Sequence, residues 1–137
     1  MRRNEPISKI MTANPATAPH GTALSEVRNQ MTELQCHHMP VVSGDELEGM
    51  ISSTDLLRVT YEYDEDPRQS NAVLDHTRSV EDVMQPSVVT VSPKDIVRSA
   101  AQIFSETSFH ALPVYEHGAL VGIVTTTDII NYLIEQY

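Results

Sequence analysis

The chain has 137 residues, a formal net charge of −10 and 40% apolar residues. This length allows one ordinary domain, or two half-domains that share a core. Nine scattered Lys and Arg against nineteen Asp and Glu argue against nucleic acid or an anionic membrane surface as the main partner, because both need clustered basic residues.

A single cysteine, Cys36, excludes an intrachain disulfide, which is typical of a protein from a reducing compartment. No apolar run approaches the roughly 20 residues of a membrane-spanning helix. The N-terminal residues Met-Arg-Arg-Asn-Glu-Pro lack the apolar stretch of a secretory signal. We therefore expect a cytoplasmic protein that has no membrane partner.

The first half predicts a helix, two strands and a second helix. Apolar residues at helical spacing over Leu24–Leu34 predict the long helix. Met39–Ser43 and Leu47–Ser52 are predicted strands, joined by a polar turn. The second strand runs into hydroxyl residues and Asp55, and the apolar residues that follow predict a helix reaching about Tyr61.

A connector follows at residues 61–79. Its first part, Tyr61–Pro67, is acidic and ends in a helix-breaking proline, and the remainder is polar. We interpret the acidic cluster as a solvated surface. The alternative is a patch that docks a partner or senses a cation.

The second half shows the same order with clearer signals. Ser92 reads as an N-cap, with Pro93 at the first helical position and Asp95 in the first turn. The predicted elements are a helical turn at Val80–Met84, a β-stretch at Val88–Val91, a helix over about 93–107, strands at Ala111–Tyr115 and Ala119–Thr125, and a last helix.

The two halves repeat each other with a constant offset of 73, which carries Asp55 to Asp128 without a gap between 7–57 and 80–130. The identical pairs include Met11/Met84, Thr17/Thr90, His37/His110, Pro40/Pro113, Gly49/Gly122 and Thr54/Thr127. Each copy has too few elements to bury both faces of its sheet. The sequence therefore predicts an α+β fold of two repeats about a pseudo-twofold axis.

The most informative repeated stretch is Gly49–Asp55, which recurs as Gly122–Asp128. In each copy an apolar strand passes into hydroxyl residues and then an aspartate. A strand that ends at a helix start leaves free backbone N–H groups, which favour an anion. These two strand-to-helix junctions, called here the corners at Asp55 and Asp128, are the candidate binding site.

The combined pattern resembles the CBS domain, named after cystathionine β-synthase. It consists of a Pro-Val strand at Pro40 and Pro113, and Gly-x-x-Ser/Thr-x-x-Asp beginning nine residues after each proline. The resemblance covers about 7–60 and 80–137. It implies one repeat in 1–60, a connector at 61–79 and a second repeat in 80–137, each a small mixed sheet with packed helices.

The resemblance implies a regulatory module with no catalysis of its own. Such pairs bind AMP, ADP or ATP in the cleft between the repeats, some with Mg²⁺ beside ATP, and they commonly form disc-like homodimers that act on a regulated protein. The alternatives are S-adenosylmethionine as the ligand, a ligand-free interaction module, and a hidden enzyme.

The resemblance also assigns roles to individual residues. It places the ribose hydroxyls on Asp55 and Asp128, since a carboxylate can accept both donors of a cis-diol. The ligand phosphate is assigned to Ser52, Thr54, Thr125, Thr127, His37 and His110. The adenine is assigned to Ala16, Val89, His38, Met39, Ala111 and Leu112.

Each assignment has a structural alternative. The aspartates would stabilise helix starts, and the hydroxyls would act as N-caps, most strongly Thr54 and Thr127. His37 and His110 would bond the backbone at strand ends, and Met39 and Leu112 would belong to the core.

The two copies also differ. Pro15 and its neighbouring alanines predict a weaker β-stretch in the first copy, so we expect unequal clefts, with the corner at 122–128 filled first. Cys36 has Phe109 as its repeat partner, which indicates packing rather than a nucleophile. The adjacent pair His37-His38 is not expected to bind metal, because neighbouring strand residues point to opposite faces.

Overall fold

The computed structural model describes residues 4–63, 79–86 and 88–137, and its chain forms two units that cross the repeat boundaries. The central unit comprises the described part of Ala16–Ser87, and the terminal unit comprises the described parts of Met1–Pro15 and Val88–Tyr137. Each repeat thus contributes its first segment to the unit that the other repeat mainly builds. These exchanged segments are residues 4–15 and 80–86. Most of the predicted acidic connector lies outside the described residues.

The element order matches the predicted repeat. In chain order the elements are a 3-10 helix (Ile7–Lys9), β1 (Thr12–Ala13), β2 (Ala18–Pro19), α1 (Leu24–Leu34), β3 (His38–Ser43), β4 (Glu46–Ser52), α2 (Ser53–Tyr63), α3 (Val80–Val83), α4 (Val97–Glu106), β5 (Ala111–Glu116), β6 (Ala119–Thr125) and α5 (Thr126–Gln136).

The central unit is a three-stranded mixed sheet of order β2-β3-β4 covered by helices. β3 and β4 are antiparallel, with His38 opposite Ser52, whereas β2 is parallel to β3. The helices pack on one core with the strands, and its buried residues are Ala18, Leu24, Val27, Met31, Met39, Val41, Ile51, Leu56, Val59 and Val80. Val80 comes from the second repeat, so this core needs the exchanged segment.

The terminal unit has an antiparallel sheet of order β1-β6-β5. Its core contains Ile7 from the exchanged N-terminal segment together with Val91, Ala100, Leu112, Val114 and Val124. Ile7 and Val80 are equivalent residues of the two repeats, and each is buried in the core of the unit that the other repeat mainly builds.

Two contacts fix α3 to the central unit. Met50 and Gln85 exchange backbone hydrogen bonds of 3.0 and 2.8 Å, and Glu81 accepts a hydrogen bond from the Gly21 N–H. His20 Nδ1 lies 2.6 Å from Glu48 Oε2 and 3.6 Å from Glu81 Oε1. The hydrogen bond to Glu48 is the main reason why the pKa of His20 is raised.

The predicted start of the second long helix is wrong by four residues, because α4 begins at Val97 and Ile96 is its N-cap. Ser92 and Asp95 instead close a turn, in which the Ser92 N–H donates to Asp95 Oδ2 at 2.8 Å. The N-terminal exchanged segment forms backbone hydrogen bonds here. The Ile7 N–H donates to the Asp95 carbonyl at 2.7 Å, and the Val97 N–H donates to the Glu5 carbonyl at 2.8 Å.

The expectation that the first copy has the weaker β-stretch is wrong. In the first copy Ala18–Pro19 forms a strand, whereas in the second copy Val91 makes only a single parallel bridge, to Val114. Pro19 is accommodated because β2 lies at the edge of the sheet, where a missing N–H removes no inner hydrogen bond.

Candidate functional site

The duplicated motif lies, in each unit, where a strand passes directly into a helix. β4 ends at Ser52 and α2 begins at the next residue, just as β6 ends at Thr125 and α5 follows at once. The motif aspartate is therefore the third helical residue in both copies.

Both helix starts are closed by a capping box. In the central unit the N–H and Oγ of Ser52 each donate to Asp55 Oδ2 at 2.9 Å, and the Asp55 N–H donates to Ser52 Oγ at 3.2 Å. In the terminal unit the Thr125 N–H donates to Asp128 Oδ2 at 2.8 Å, and the Asp128 N–H donates to Thr125 Oγ1 at 3.2 Å. The helix-stabilising role of the aspartates is thus present, and it occupies one carboxylate oxygen, Oδ2, in each.

The predicted N-caps at Thr54 and Thr127 are wrong. The caps are Ser52 and Thr125, two residues earlier, because the strands run up to those positions and the helices begin immediately after them. Thr54 and Thr127 are exposed at the second helical position. Their hydroxyls are therefore not used for capping.

The remaining N–H groups of the helix starts can be followed one by one. Ser53 N–H donates to the His37 carbonyl at 2.9 Å, and Thr126 N–H donates to the His110 carbonyl at 3.0 Å. Within the described part of the chain, the N–H groups of Thr54 and Thr127 meet no acceptor. Each corner thus offers one exposed N–H group and one exposed hydroxyl on the same threonine, a neutral pair that suits an anion.

The two histidines have a backbone role at strand ends, as the structural alternative expected, while their side chains are exposed. His37 Nδ1 lies 3.5 Å from Ser53 Oγ. The His37 side chain therefore lies near its helix start, although its carbonyl group is engaged.

The residues assigned to the adenine fall into two classes. The side chains of Met39 and Leu112 are buried, one in each core, and Ala111 is buried as well. Core packing is therefore the role of the Met39 and Leu112 side chains, and only their backbone is left for a ligand. Ala16 and Val89 are exposed and His38 is half-buried, opposite Ser52.

A cavity of about 470 Å³ lies in the central unit between α1 and α2. Most of its lining is helical, and His37 is the one residue of the predicted site that it includes. It is lined by Arg28, Met31, Thr32, Gln35, Cys36, His37, Ser53, Leu56, Leu57 and Thr60. This cavity could not be predicted from the sequence, because it depends on how α1 and α2 pack together.

Other kinds of site find little support in the described residues. Cys36 packs against the central core and Phe109 against the terminal core, and burial raises the pKa of the Cys36 thiol, which disfavours a nucleophilic thiolate. The described part of the chain contains no cluster of three His, Cys, Asp or Glu side chains suited to a metal. None of its helices combines the length and apolarity needed to cross a membrane.

The chain is similar in sequence to known proteins. The chain is 29% identical over 133 residues to a homoserine O-acetyltransferase of Methanohalobium evestigatum, a match that covers 96% of the chain and 24% of that protein. The chain spans less than half the length of the curated relatives it matches.

Solved structures show the same fold. CBSX2 in complex with AMP has a TM-score of 0.79 at 24% identity, covering 96% of this chain and 98% of that one. The CBS domain pair of protein MJ0100, in complex with 5′-methylthioadenosine and S-adenosyl-L-methionine, has a TM-score of 0.82 at 22% identity, covering 96% and 98%. The family model for the CBS domain matches residues 7–62 and 80–135. The chain is therefore a member of the CBS domain family, with two copies of the domain.

Proposed function

We propose that this chain is a regulatory module that binds an adenine nucleotide at the corners 52–55 and 125–128. The observation that carries the proposal is the shared capping geometry. Each aspartate closes its helix with Oδ2, so Oδ1 can accept the two ribose hydroxyls. The exposed N–H and hydroxyl of Thr54 or Thr127 lie one residue away and are suited to the phosphate.

The bound complexes of the two structural neighbours support the ligand class. One holds AMP and the other holds two adenosyl compounds, which share the adenosine but differ in the 5′ group. AMP, ADP or ATP is our first choice, and S-adenosylmethionine is the alternative. Mg²⁺ would accompany ATP through the phosphates.

The regulatory mechanism follows from linkage. A ligand favours whichever arrangement of the chain it binds better, by no more than its difference in affinity for the two arrangements. A regulated protein would respond to that difference, and the chain itself need catalyse nothing. Hydrolysis of ATP that is lost in an Asp128→Ala variant would favour an enzyme instead.

Isothermal titration of the full chain with AMP, ATP and S-adenosylmethionine tests this proposal. We expect at least one of them to bind with a Kd well below about 1 mM, which corresponds to about −4 kcal/mol. If none binds at that level, the ligand-free interaction module becomes the better interpretation.

Exposed apolar side chains support a second copy of the chain as a partner. Leu57 and Tyr61 are exposed on α2, and their repeat equivalents Ile130 and Ile134 are exposed on α5. The apolar cavity lies beside Leu57. On a chain with a net charge of −10, such patches are typical of a surface that another protein covers. We infer a homodimer through these helices.

Replacing Ile134 with glutamate is expected to convert the dimer to a monomer, because the charge would have to be buried without a partner in the interface. Ile134 is 66% exposed in the chain, so the monomer should stay folded. Light scattering after size-exclusion chromatography measures the mass, and circular dichroism checks the fold. Gln136→Glu, which adds the same charge on the same helix, is the control and should stay dimeric. A monomeric wild type would contradict the inference.

A further inference from the structure

The two corners differ in charge at the position three residues after the motif aspartate. Arg58 Nη1 lies 3.5 Å from Asp55 Oδ1, and the Arg58 side chain is 64% exposed whereas that of Asp55 is 18% exposed. The offset of 73 places Asn131 at the equivalent position of the terminal unit, where it is also exposed. No ion pair to Asp128 is found within the described residues. The aspartate is thus charge-balanced in one corner only.

A second basic residue repeats this asymmetry. Arg28 on α1 lines the cavity together with His37 and Ser53, on the flank of the corner at Asp55. Its repeat equivalent is Ala101. α5 carries Asp128 and Glu135 and no basic residue. The central unit thus has basic residues at two positions, Arg58 in the corner and Arg28 in the cavity that Ser53 also lines, where the terminal unit has Asn131 and Ala101.

We propose that Arg58 makes the two corners select ligands by the charge of the 5′ group: the Asp55 corner prefers adenosyl ligands that carry phosphate, and the Asp128 corner does not. This inference rests on the proposed function. The donors of the terminal corner are neutral beside a carboxylate, which repels a phosphate. In the central corner the guanidinium cancels that repulsion and can donate two hydrogen bonds to phosphate.

The ion pair also couples the two halves of the ligand. Asp55 uses Oδ2 for capping, and its Oδ1 forms an ion pair with Arg58, so Arg58 competes with a ribose for Oδ1. A phosphate draws the exposed Arg58 away and releases Oδ1 for the diol. A nucleoside has no group that competes for Arg58, so it meets a carboxylate that is already engaged. Phosphate therefore strengthens ribose binding in this corner.

AMP and adenosine are the test ligands, because they differ only in the phosphate. Binding of both is measured by titration calorimetry on the full chain in an Asp128→Asn background, which leaves the central corner as the intact site. Adding Arg58→Gln should lower the ratio of AMP to adenosine affinity about tenfold, the low end for a hydrogen bond to a charged group. In an Asp55→Asn background, Asn131→Arg should raise that ratio by a similar factor.

The outcomes separate the two proposals. A ratio that is unchanged by Arg58→Gln, or equal losses of AMP and adenosine binding, would overturn this inference while leaving nucleotide binding intact. If the wild-type chain binds neither ligand, this inference fails, and the proposed function fails with it when ATP and S-adenosylmethionine do not bind either. Because Arg58 is exposed, Arg58→Gln should keep the wild-type circular dichroism spectrum and melting temperature, which excludes misfolding as the cause of a loss.

Discussion

Replacing Gly49 with alanine is expected to lower the free energy of unfolding by about 2–3 kcal/mol, at the upper end of the range for overpacking. A Cβ atom at this position would lie 2.6 Å from the Gln85 carbonyl oxygen and 2.7 Å from Met84 Sδ. The Gln85 carbonyl accepts a hydrogen bond from the Met50 N–H, so it cannot move without breaking the bridge that holds α3 on the central unit.

The equivalent change at Gly122 should cost less, about 1 kcal/mol. Its Cβ would lie 2.6 Å from Met11 Sδ but 3.0 Å from the nearest backbone atom, the Thr12 carbonyl oxygen. A methionine sulfur is near the end of a flexible side chain and can rotate away, whereas a bonded backbone carbonyl cannot. The repeat thus provides a matched control, with the same substitution at the same position of the other copy.

Urea denaturation followed by circular dichroism measures both losses. Truncating the methionine distinguishes the two causes. Met11→Ala should relieve most of the cost of Gly122→Ala, and Met84→Ala should relieve little of the cost of Gly49→Ala, as read from double-mutant cycles. Equal costs at the two glycines, or full relief by Met84→Ala, would contradict the role given to the Gln85 carbonyl.

These glycines also show what the sequence could predict. The offset of 73 paired Gly49 with Gly122 and Met11 with Met84, but it could not reveal that each methionine packs against the other repeat's glycine. Hydrophobic periodicity reports which face of an element is buried, not which copy of a repeated element it packs against. The exchange of first segments therefore became visible only in the cores, where Ile7 and Val80 are found.

The late start of α4 has a similar origin. Ser92, Pro93 and Asp95 form a strong local signal for a helix start, but the carbonyls of Pro93 and Asp95 accept hydrogen bonds from Ser8 and Ile7. A long-range partner thus overrides a local propensity. By contrast, the hairpin turn at Glu116–Gly118 could be predicted from the sequence, because glycine readily adopts the positive φ angles of short hairpin turns. The observed φ angles are 53° at His117 and 76° at Gly118.

Within the candidate site, the sequence identified the motif but not how its atoms are used. Ser-x-x-Asp spacing is compatible with a capping box or with ligand contacts, and the structure shows that one carboxylate oxygen serves the cap in each copy. The Asp55–Arg58 pair was visible as an i, i+3 spacing. The difference between the two corners became clear only when Arg58 was compared with its repeat equivalent, Asn131.

Replacing Asp128 with asparagine should separate capping from ligand binding. The amide oxygen can still accept the hydrogen bond from the Thr125 N–H, so the loss of stability should stay near 0.5–1 kcal/mol, the range of a weakened cap and helix-dipole interaction. The amide nitrogen would take the place of Oδ1 and cannot accept a ribose hydroxyl. Affinity for adenosine, which has the ribose but no phosphate, should therefore fall at this corner at least about tenfold, the value of a hydrogen bond to a charged group.

Asp82→Asn is the control for this experiment, because Asp82 has the same capping geometry without a proposed ligand. Ser79 N–H and Oγ donate to Asp82 Oδ2 at 3.1 and 3.0 Å, at the start of α3. Both variants should therefore show similar small losses of stability in urea. Only Asp128→Asn should lose adenosine affinity in calorimetry, measured with Asp55→Asn present in both proteins. If the two variants lose adenosine affinity equally, or if Asp128→Asn binds adenosine like its parent, Asp128 is a capping residue and nothing more, and the ribose assignment fails.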